Sequence, residues 1–516
     1  MNRSSLDRIH TQILWDRLLA VVEEQAQTLV RTAFSTTVRE AGDISAGVFD
    51  TQGRMLAQAV TGTPGHVNAM AASVGFFLQK FPVEDLHPED VLLTNDPWYG
   101  TGHLNDFTVI TPVFRKGRPV ALFAATSHIA DVGGLGFGPD GRQVFEEGLN
   151  IPMGYLYRAG EPNEVLLEIL RANVRDPRSA EGDLHSLTAC NRAGVESLLA
   201  TLDEFGMDDL DTAGRVIVDN SRDAMLAEIR KLPFGSWTNT MRIDGYDDPV
   251  DLVCKLTIGE TGIDVDFSGT SPVCSHGINV PLTYTQAYAS FGVRCVVGND
   301  IPNNAGSLEV VRVTAPEGCI LNAPRPAAVS ARHAIGQMLP DVVLGCLEEP
   351  LGGNVPAEGA SCLFGPVFLG GRGLVPGSES EAFVINAFYA GGTGGRPGKD
   401  GLDCTAVPSG VKSTAVEITE NAAPLIIWQK EYRPGSGGAG EFRGGVGQIM
   451  EFAHAGGEAF MVSKMFDRIK HPPRGRQGGE PGKPARVYVK GGDELRGLGR
   501  ETIPAGCSMV LETAGG

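Results

Sequence analysis

The sequence predicts a mixed α/β (α+β) protein of more than one domain, with an N-terminal α/β part over residues 1–236 and a β-rich, glycine-loop-rich part over 237–516. Three observations carry this reading. Apolar residues recur at helical spacing through 11–37, 164–204 and 209–232. Between the first two of these, residues 90–134 alternate apolar strand-like runs with turns. Near 236 the texture changes to the meander TMRIDGYDDPVDLVCKLTIGETGIDVDFSGTSP, which alternates with period two. A chain of 516 residues has room for two to four domains at ~150 residues each.

Taken in order, Ile13, Leu14, Leu18, Val21, Val22, Leu29, Val30 and Ala33 mark the apolar stripe of the first helix. The stretch AGVFDTQGRMLAQA (46–59) reads as a hairpin turning at Thr51-Gln52-Gly53, with Asp43 just before its first strand. His66 lies ahead of a helical run from Ala69 to Phe81. The runs DFTVITPVF and PVALFAATSHIA form a second hairpin about Lys116-Gly117. Residues 309–350 mix strand and helix, 389–411 and 433–447 are glycine-rich loops, and 480–512 are short strands.

Composition narrows the function. The formal charge is −19, which argues against a nucleic-acid partner, since such binding neutralises phosphates with Lys and Arg. No run of ~18 apolar residues appears, so no membrane span is expected. The nine cysteines form no CxxC pair and their number is odd, which fits reduced thiols and a cytoplasmic setting. GGTGGRPGKDG (391–401) lacks the Ser/Thr and spacing of a P-loop. Gly435, Gly437 and Gly440 satisfy GxGxxG without a strand entering a helix. No cofactor-binding nucleotide site is therefore expected on this chain. No GxSxG elbow is present, and Cys190 reads as helix packing.

The residues that carry chemistry are His103 and Asp106, three positions apart, and His128 in ATSHIADVGG, with Asp131 three positions beyond it. Two neutral imidazoles and a carboxylate are a common ligand set for Zn, Mn or Fe in a site that keeps a position open. Core histidines and turn-holding aspartates give the same spacing, so spacing alone leaves both readings open. The second hairpin would put His103 and Asp106 at the start of one strand and His128 near the end of its partner.

Many blocks in order give the chain a close resemblance to one family over almost its whole length. They are TAFSTTVREAGDISAGVFDTQGRMLAQA, LLTNDPWYGTGHLNDFTVITPVF, SHIADVGG, IPMGYLYRAGEPN, ILRANVRDPRSAEGDLHSLTACNRAG, DVDFSGTS, INVPLTYTQAYA, VSARHA and KSTAVEITENAAPLIIWQKEYRPGSGGAGEFRGGVG. These resemble the hydantoinase B / 5-oxoprolinase (HyuB-type) family. The resemblance implies a hetero-oligomer with a HyuA-type subunit that binds ATP and Mg, and a cyclic amide as small-molecule substrate. It implies a divalent metal ion held by His103, Asp106 and His128, the arrangement of the related acetone and acetophenone carboxylases, with Asp43 as a fourth ligand or else a turn residue capping the strand. Asp131 is then a base or an orienting partner of His128, or else a turn residue. His66 is a catalytic group contacting substrate, or a cap on the following helix. Arg332 and His333 are weaker candidates for holding an anionic group, and a surface ion pair is the alternative for Arg332. EAGDIS (40–45) departs from the more usual ERRDYS-like stretch and so leaves the substrate class open. Three readings follow: an ATP-dependent hydrolase of cyclic amides, an ATP-dependent ketone carboxylase, or a non-catalytic scaffold for the ATP-binding subunit.

Overall fold

The computed structural model describes residues 3–60 and 62–516, with side chains from His10 onward. The N-terminal part contains helices α1 (Arg3–Thr32), α2 (Thr36–Arg39), α3 (Pro64–Lys80), α4 (Val144–Glu147), α5 (Glu164–Asn173), α6 (Pro177–Glu204) and α7 (Asp211–Ile229). Its strands are β1 (Ile44–Phe49), β2 (Met55–Gln58), β3 (Val91–Thr94), β4 (Asp106–Arg115), β5 (Arg118–His128), β6 (Gly154–Arg158) and β7 (Glu161–Pro162). They form one antiparallel sheet in the order β2-β1-β5-β4-β3-β6-β7.

Both faces of this sheet are buried, which explains strands that read as nearly continuous apolar runs. Ala46, Val48, Phe107, Val109, Ala121 and Phe123 face the layer of α1 and α6. Phe49, Ile110, Leu122 and Ala124 face α3, with Val67, Met70, Val74 and Phe77 opposite. Alternation along each strand therefore assigns every residue to one layer by parity.

The first helix ends earlier than the expected 37. Asp183 on α6 accepts hydrogen bonds from the backbone N–H groups of Phe34 (2.7 Å) and Ser35 (3.2 Å), taking amides that a continuing helix would use. Ser35 then caps α2 through Val38 N–H. In the other direction, α3 begins at Pro64, before the expected Ala69, because Pro is suited to the first helical position and Thr63 precedes it in extended backbone. His66 thus sits in the first turn of α3.

The remainder holds β8 (Gly235–Ile243), β9 (Val250–Gly259), β10 (Gly262–Asp266), α8 (Leu282–Arg294), α9 (Ala305–Glu309), β11 (Val311–Thr314), α10 (His333–Gly336) and α11 (Leu339–Leu347). Then come β12 (Val367–Gly370), β13 (Phe383–Asn386), α12 (Val416–Ala422), β14 (Leu425–Tyr432), β15 (Gln448–His454), β16 (Phe460–Met465), β17 (Arg486–Val489), β18 (Leu498–Ile503) and β19 (Ser508–Glu512). Three four-stranded sheets result, ordered β11-β10-β9-β8, β13-β12-β16-β18 and β14-β15-β19-β17. The whole is a multi-domain α+β protein. Its largest apolar core runs from Met225 to Ala514 and also takes in Phe137.

The glycine-rich loops are irregular but tightly bonded. Gly445 N–H donates to Thr393 O (2.8 Å), Gly438 N–H to Gly516 O (2.8 Å) and Gly516 N–H to Gly445 O (2.9 Å). A Cβ at Gly392 would overlap the carbonyl oxygen of Gly445, and one at Gly444 that of Gly516. Backbone lies directly on backbone, which explains the concentration of glycine here. Among the described residues no helix is long and apolar enough to cross a membrane, and all nine cysteines are free.

Candidate metal centre

The hairpin of β4 and β5 turns at Lys116 and Gly117, both with positive φ (51° and 77°), the conformation a two-residue hairpin turn requires. The register that follows puts Asp106 directly across from His128. Both share the sheet face that carries Ile110, Leu122 and Ala124, under α3. Next to them, β1 pairs Ile44 with Ser127, and His128 N–H donates to Asp43 O at 3.2 Å. Asp43, His128 and Asp106 therefore lie in a row across three strands. The first turn of α3 places His66 over the row, and the loop before β4 brings His103 back to it.

Asp106 is the hub. Its Oδ1 lies 2.7 Å from His103 Nε2 and accepts from His128 Nδ1 at 3.2 Å. Its Oδ2 lies 2.9 Å from His66 Nε2, accepts from Arg332 Nη2 at 2.6 Å, and accepts from the Thr101 hydroxyl. His66 Nδ1 is 3.4 Å from Asp43 Oδ1. Burial alone would push the Asp106 carboxyl up, but His103, His66 and Arg332 hold it well below the usual carboxylate range. Burial and the charge of Arg332 push His103 down to about 3, so it is a neutral imidazole at physiological pH. Burial and Arg332 likewise push His333 well down. Burial pulls His66 down too, but Asp106 and Asp43 outweigh it and its pKa is raised.

The site residues fit a metal ion. His103 Nδ1 donates to Ser330 O at 2.9 Å, which leaves its Nε2 as a lone pair. That Nε2 faces Asp106 Oδ1 at 2.7 Å and, in this tautomer, carries no proton to share with it. His66 Nδ1 and His128 Nε2 are also buried without a hydrogen-bond partner. Buried polar atoms of this kind are ordinarily satisfied, so unpartnered ring nitrogens on His103 and His128 beside Asp106 mark a place for a ligand. One ligand atom each from His103, Asp106 and His128 can be chosen so that all lie within 4.8 Å of one another, an arrangement able to hold a metal ion.

A family model described as hydantoinase B/oxoprolinase matches residues 7–516. The chain belongs to the hydantoinase B/oxoprolinase family. A Pseudomonas protein described as one subunit of a putative D-/L-hydantoinase is 28% identical over 94% of this chain and 84% of its own. 5-oxoprolinase 1 of Arabidopsis thaliana is 29% identical over 99% of this chain, which spans only 41% of that protein. Two solved structures share the fold at a TM-score of 0.87. One is nucleotide-free acetone carboxylase (19% identical, 99% of this chain, 75% of that one). The other is the ATP-dependent caprolactamase of Pseudomonas jessenii (22% identical, 99% and 90%).

In this family member, the fold brings His66, His103, Asp106, His128 and Asp43 together. Asp131 lies apart from them. Its Oδ1 accepts from Gly133 N–H (3.1 Å) and Arg175 Nη1 (2.6 Å), and it lines a different cavity, with Arg175, Asp183 and Arg372. Arg332 is buried, not a surface ion pair; its Nε also donates to Thr101 O at 3.0 Å, and its guanidinium lies over the Tyr284 ring at 4.2 Å. Ser330, Thr101, Tyr284 and Phe137 had no signal of their own in the sequence. Only the block VSARHA marked the segment that supplies both Ser330 O and Arg332.

Proposed function

We propose that this chain is the metal-bearing subunit of an ATP-dependent amidohydrolase that opens a cyclic amide together with a HyuA-type, ATP- and Mg-binding subunit. The observation that carries the reading is the buried His103–Asp106–His128 cluster with its unpartnered ring nitrogens. Relatives and fold neighbours described as a hydantoinase, a 5-oxoprolinase and a caprolactamase support cyclic amides as the class.

In this reading His103, Asp106 and His128 are metal ligands, and Asp43, beside His66 and His128, is the fourth. A divalent ion held there, Zn, Mn or Fe, would supply Lewis acidity to a carbonyl or to water. Ser330 O fixes the His103 tautomer, and Arg332 with Thr101 fixes the Asp106 carboxylate. Asp43, His66, His103 and His128 line a small recess, in which His66, with Nε2 towards Asp106 and Nδ1 towards Asp43, is placed to carry a proton between the two carboxylates. Phe137, Tyr284 and Tyr288 line that recess and keep bulk water away. Asp131 acts outside the recess, holding the turn after β5 to Arg175.

Elemental analysis of wild type and His103→Ala is the first test. Near-stoichiometric Zn, Mn or Fe that is lost in the variant supports the site. Full ATP-dependent ring opening by complexes containing His103→Ala or His128→Ala would refute it and favour a scaffold. Bicarbonate-dependent C–C bond formation in place of ring opening would assign the chain to the carboxylase branch.

A further inference from the structure

The cavity lined by Asp131 shares no residue with the recess at the His–Asp centre. It measures about 930 Å³. Pockets for small ligands run to roughly 300–1,000 Å³, so a small molecule fits such a space. Both parts of the chain build it. Residues 129–131 follow β5, and Asp176, Ser179 and Asp183 lie at the start of α6. Arg372 and Leu374 follow β12, and Phe383 and Val384 lie on β13.

Asp183 is fully buried, and it lines this cavity. Its Oδ1 accepts the N–H groups of Phe34 and Ser35, but its Oδ2 is buried with no hydrogen-bond partner among the described residues. A buried carboxylate oxygen is ordinarily satisfied, and leaving one bare costs free energy. Burial pushes the carboxyl up, the hydrogen bonds from Ser35 and Phe34 pull it down, and the charge of Asp176 adds to the rise. The other lining groups supply little counter-charge. Asp131 and Arg175 pair with each other at 2.6 Å. That leaves Asp176, Asp183 and Glu381 against Arg372, whose Nη2 donates to Glu379 O at 3.1 Å. The wall is therefore acidic. It is not built for a metal ion, since among the described residues the group close enough to hold one is His103, Asp106 and His128. Leu374 and Phe383 add an apolar side. An ammonium group on a hydrocarbon body answers both features, with N–H donors for Asp183 Oδ2 and positive charge for the carboxylates.

We propose that this cavity is a binding site for a small organic ammonium ion. The charged end lies at Asp183 and Asp176, and the hydrocarbon body lies against Leu374 and Phe383. Because the walls come from both parts of the chain, the occupant ties α6 to β13.

The test is calorimetry on the full chain at pH 7 with pentylamine, 1-pentanol and pentanoate, which share a carbon chain and differ in charge. We expect saturable binding of pentylamine, about tenfold or more tighter than of the other two. Asp183→Asn keeps an oxygen for the Phe34 and Ser35 N–H groups and removes the negative charge, so it is expected to weaken pentylamine about tenfold. Glu381→Lys changes an exposed wall position, leaves the buried hydrogen bonds in place, and should weaken pentylamine as well. It decides the matter should Asp183→Asn fail to fold. His103→Ala should bind pentylamine as wild type does, which separates this cavity from the metal centre. The proposal is overturned by absent binding of pentylamine, by equal binding of pentanol or pentanoate, by full affinity in folded Asp183→Asn or in Glu381→Lys, or by loss of binding in His103→Ala.

Discussion

Replacing Arg332 with Met tests the electrostatics of the centre most directly. The guanidinium is 2.6 Å from a fully buried carboxylate, and both side chains are withdrawn from solvent. Met fills similar volume but leaves Asp106 without its permanent counter-charge. Breaking a buried pair this way costs about 3–5 kcal/mol. For a cooperative unit of 150–250 residues each kcal/mol moves Tm by about 2–4 °C, so metal-free Arg332→Met is expected to melt roughly 6–20 °C below wild type. A divalent ion restores positive charge beside Asp106, so the Tm gain on adding Zn²⁺ or Mn²⁺ should be larger in the variant than in wild type. Arg332→Lys should fall between the two, since one ammonium cannot reproduce the paired contacts to Asp106 and Thr101 O. The assay is differential scanning fluorimetry of chelated and metal-loaded protein. An unchanged Tm in metal-free Arg332→Met, or equal metal-induced gains in both proteins, would refute the assignment of Arg332 as the balancing charge.

Other expectations follow from neighbouring features. Gly102 has φ +99°, and a Cβ there would lie 3.2 Å from Arg332 Nε and from Tyr284 Cβ, so Gly102→Ala should cost about 1–3 kcal/mol in urea unfolding. His103 is pushed down to about 3 from an unfolded value near 6.5, so the fold binds fewer protons than the unfolded chain in between. Its contribution is complete above pH ~6.5 and is lost as pH falls towards 3. Metal-free Tm should drop across that window at fixed ionic strength, and less steeply in His103→Gln. Glu147 accepts hydrogen bonds from Val329 and Ser330 N–H at 2.8 Å each, and burial pushes its carboxyl up to about 8. Glu147→Gln should therefore change thermal stability at pH 7 by under about 1 kcal/mol, whereas Glu147→Ala orphans two buried amides at about 1–3 kcal/mol each.

What the sequence made legible was local. The Lys116-Gly117 turn lies midway between Asp106 and His128, so the hairpin alone forces those two side chains together. Parity along β4 and β5 then sets the face. His66 and Asp43 needed the layer order, because α3 and β1 meet the hairpin only once the sheet is assembled. Arg332 and Ser330 reach the centre across 226 and 227 residues, a pairing no periodicity or turn signal encodes. Asp131, three residues past His128, looked equivalent to Asp106 after His103. The strand ends at His128, and the turn that follows carries Asp131 round to Arg175. The early end of α1 had a similar cause, since Asp183, which displaces the helix at Phe34, lies about 150 residues away.

The segment that supplies Ser330 O and Arg332 has a consequence for biosynthesis. A chain elongating on the ribosome presents Asp43, His66, His103, Asp106 and His128 within its first quarter. Until residue 332 has emerged, His103 lacks the Ser330 carbonyl that takes its Nδ1 proton, and Asp106 lacks the Arg332 guanidinium. The five side chains are then ionisable groups without the two contacts that hold their centre. Only the later-made part of the chain turns those side chains into one rigid geometry, so the centre is complete only once the two parts have closed on each other.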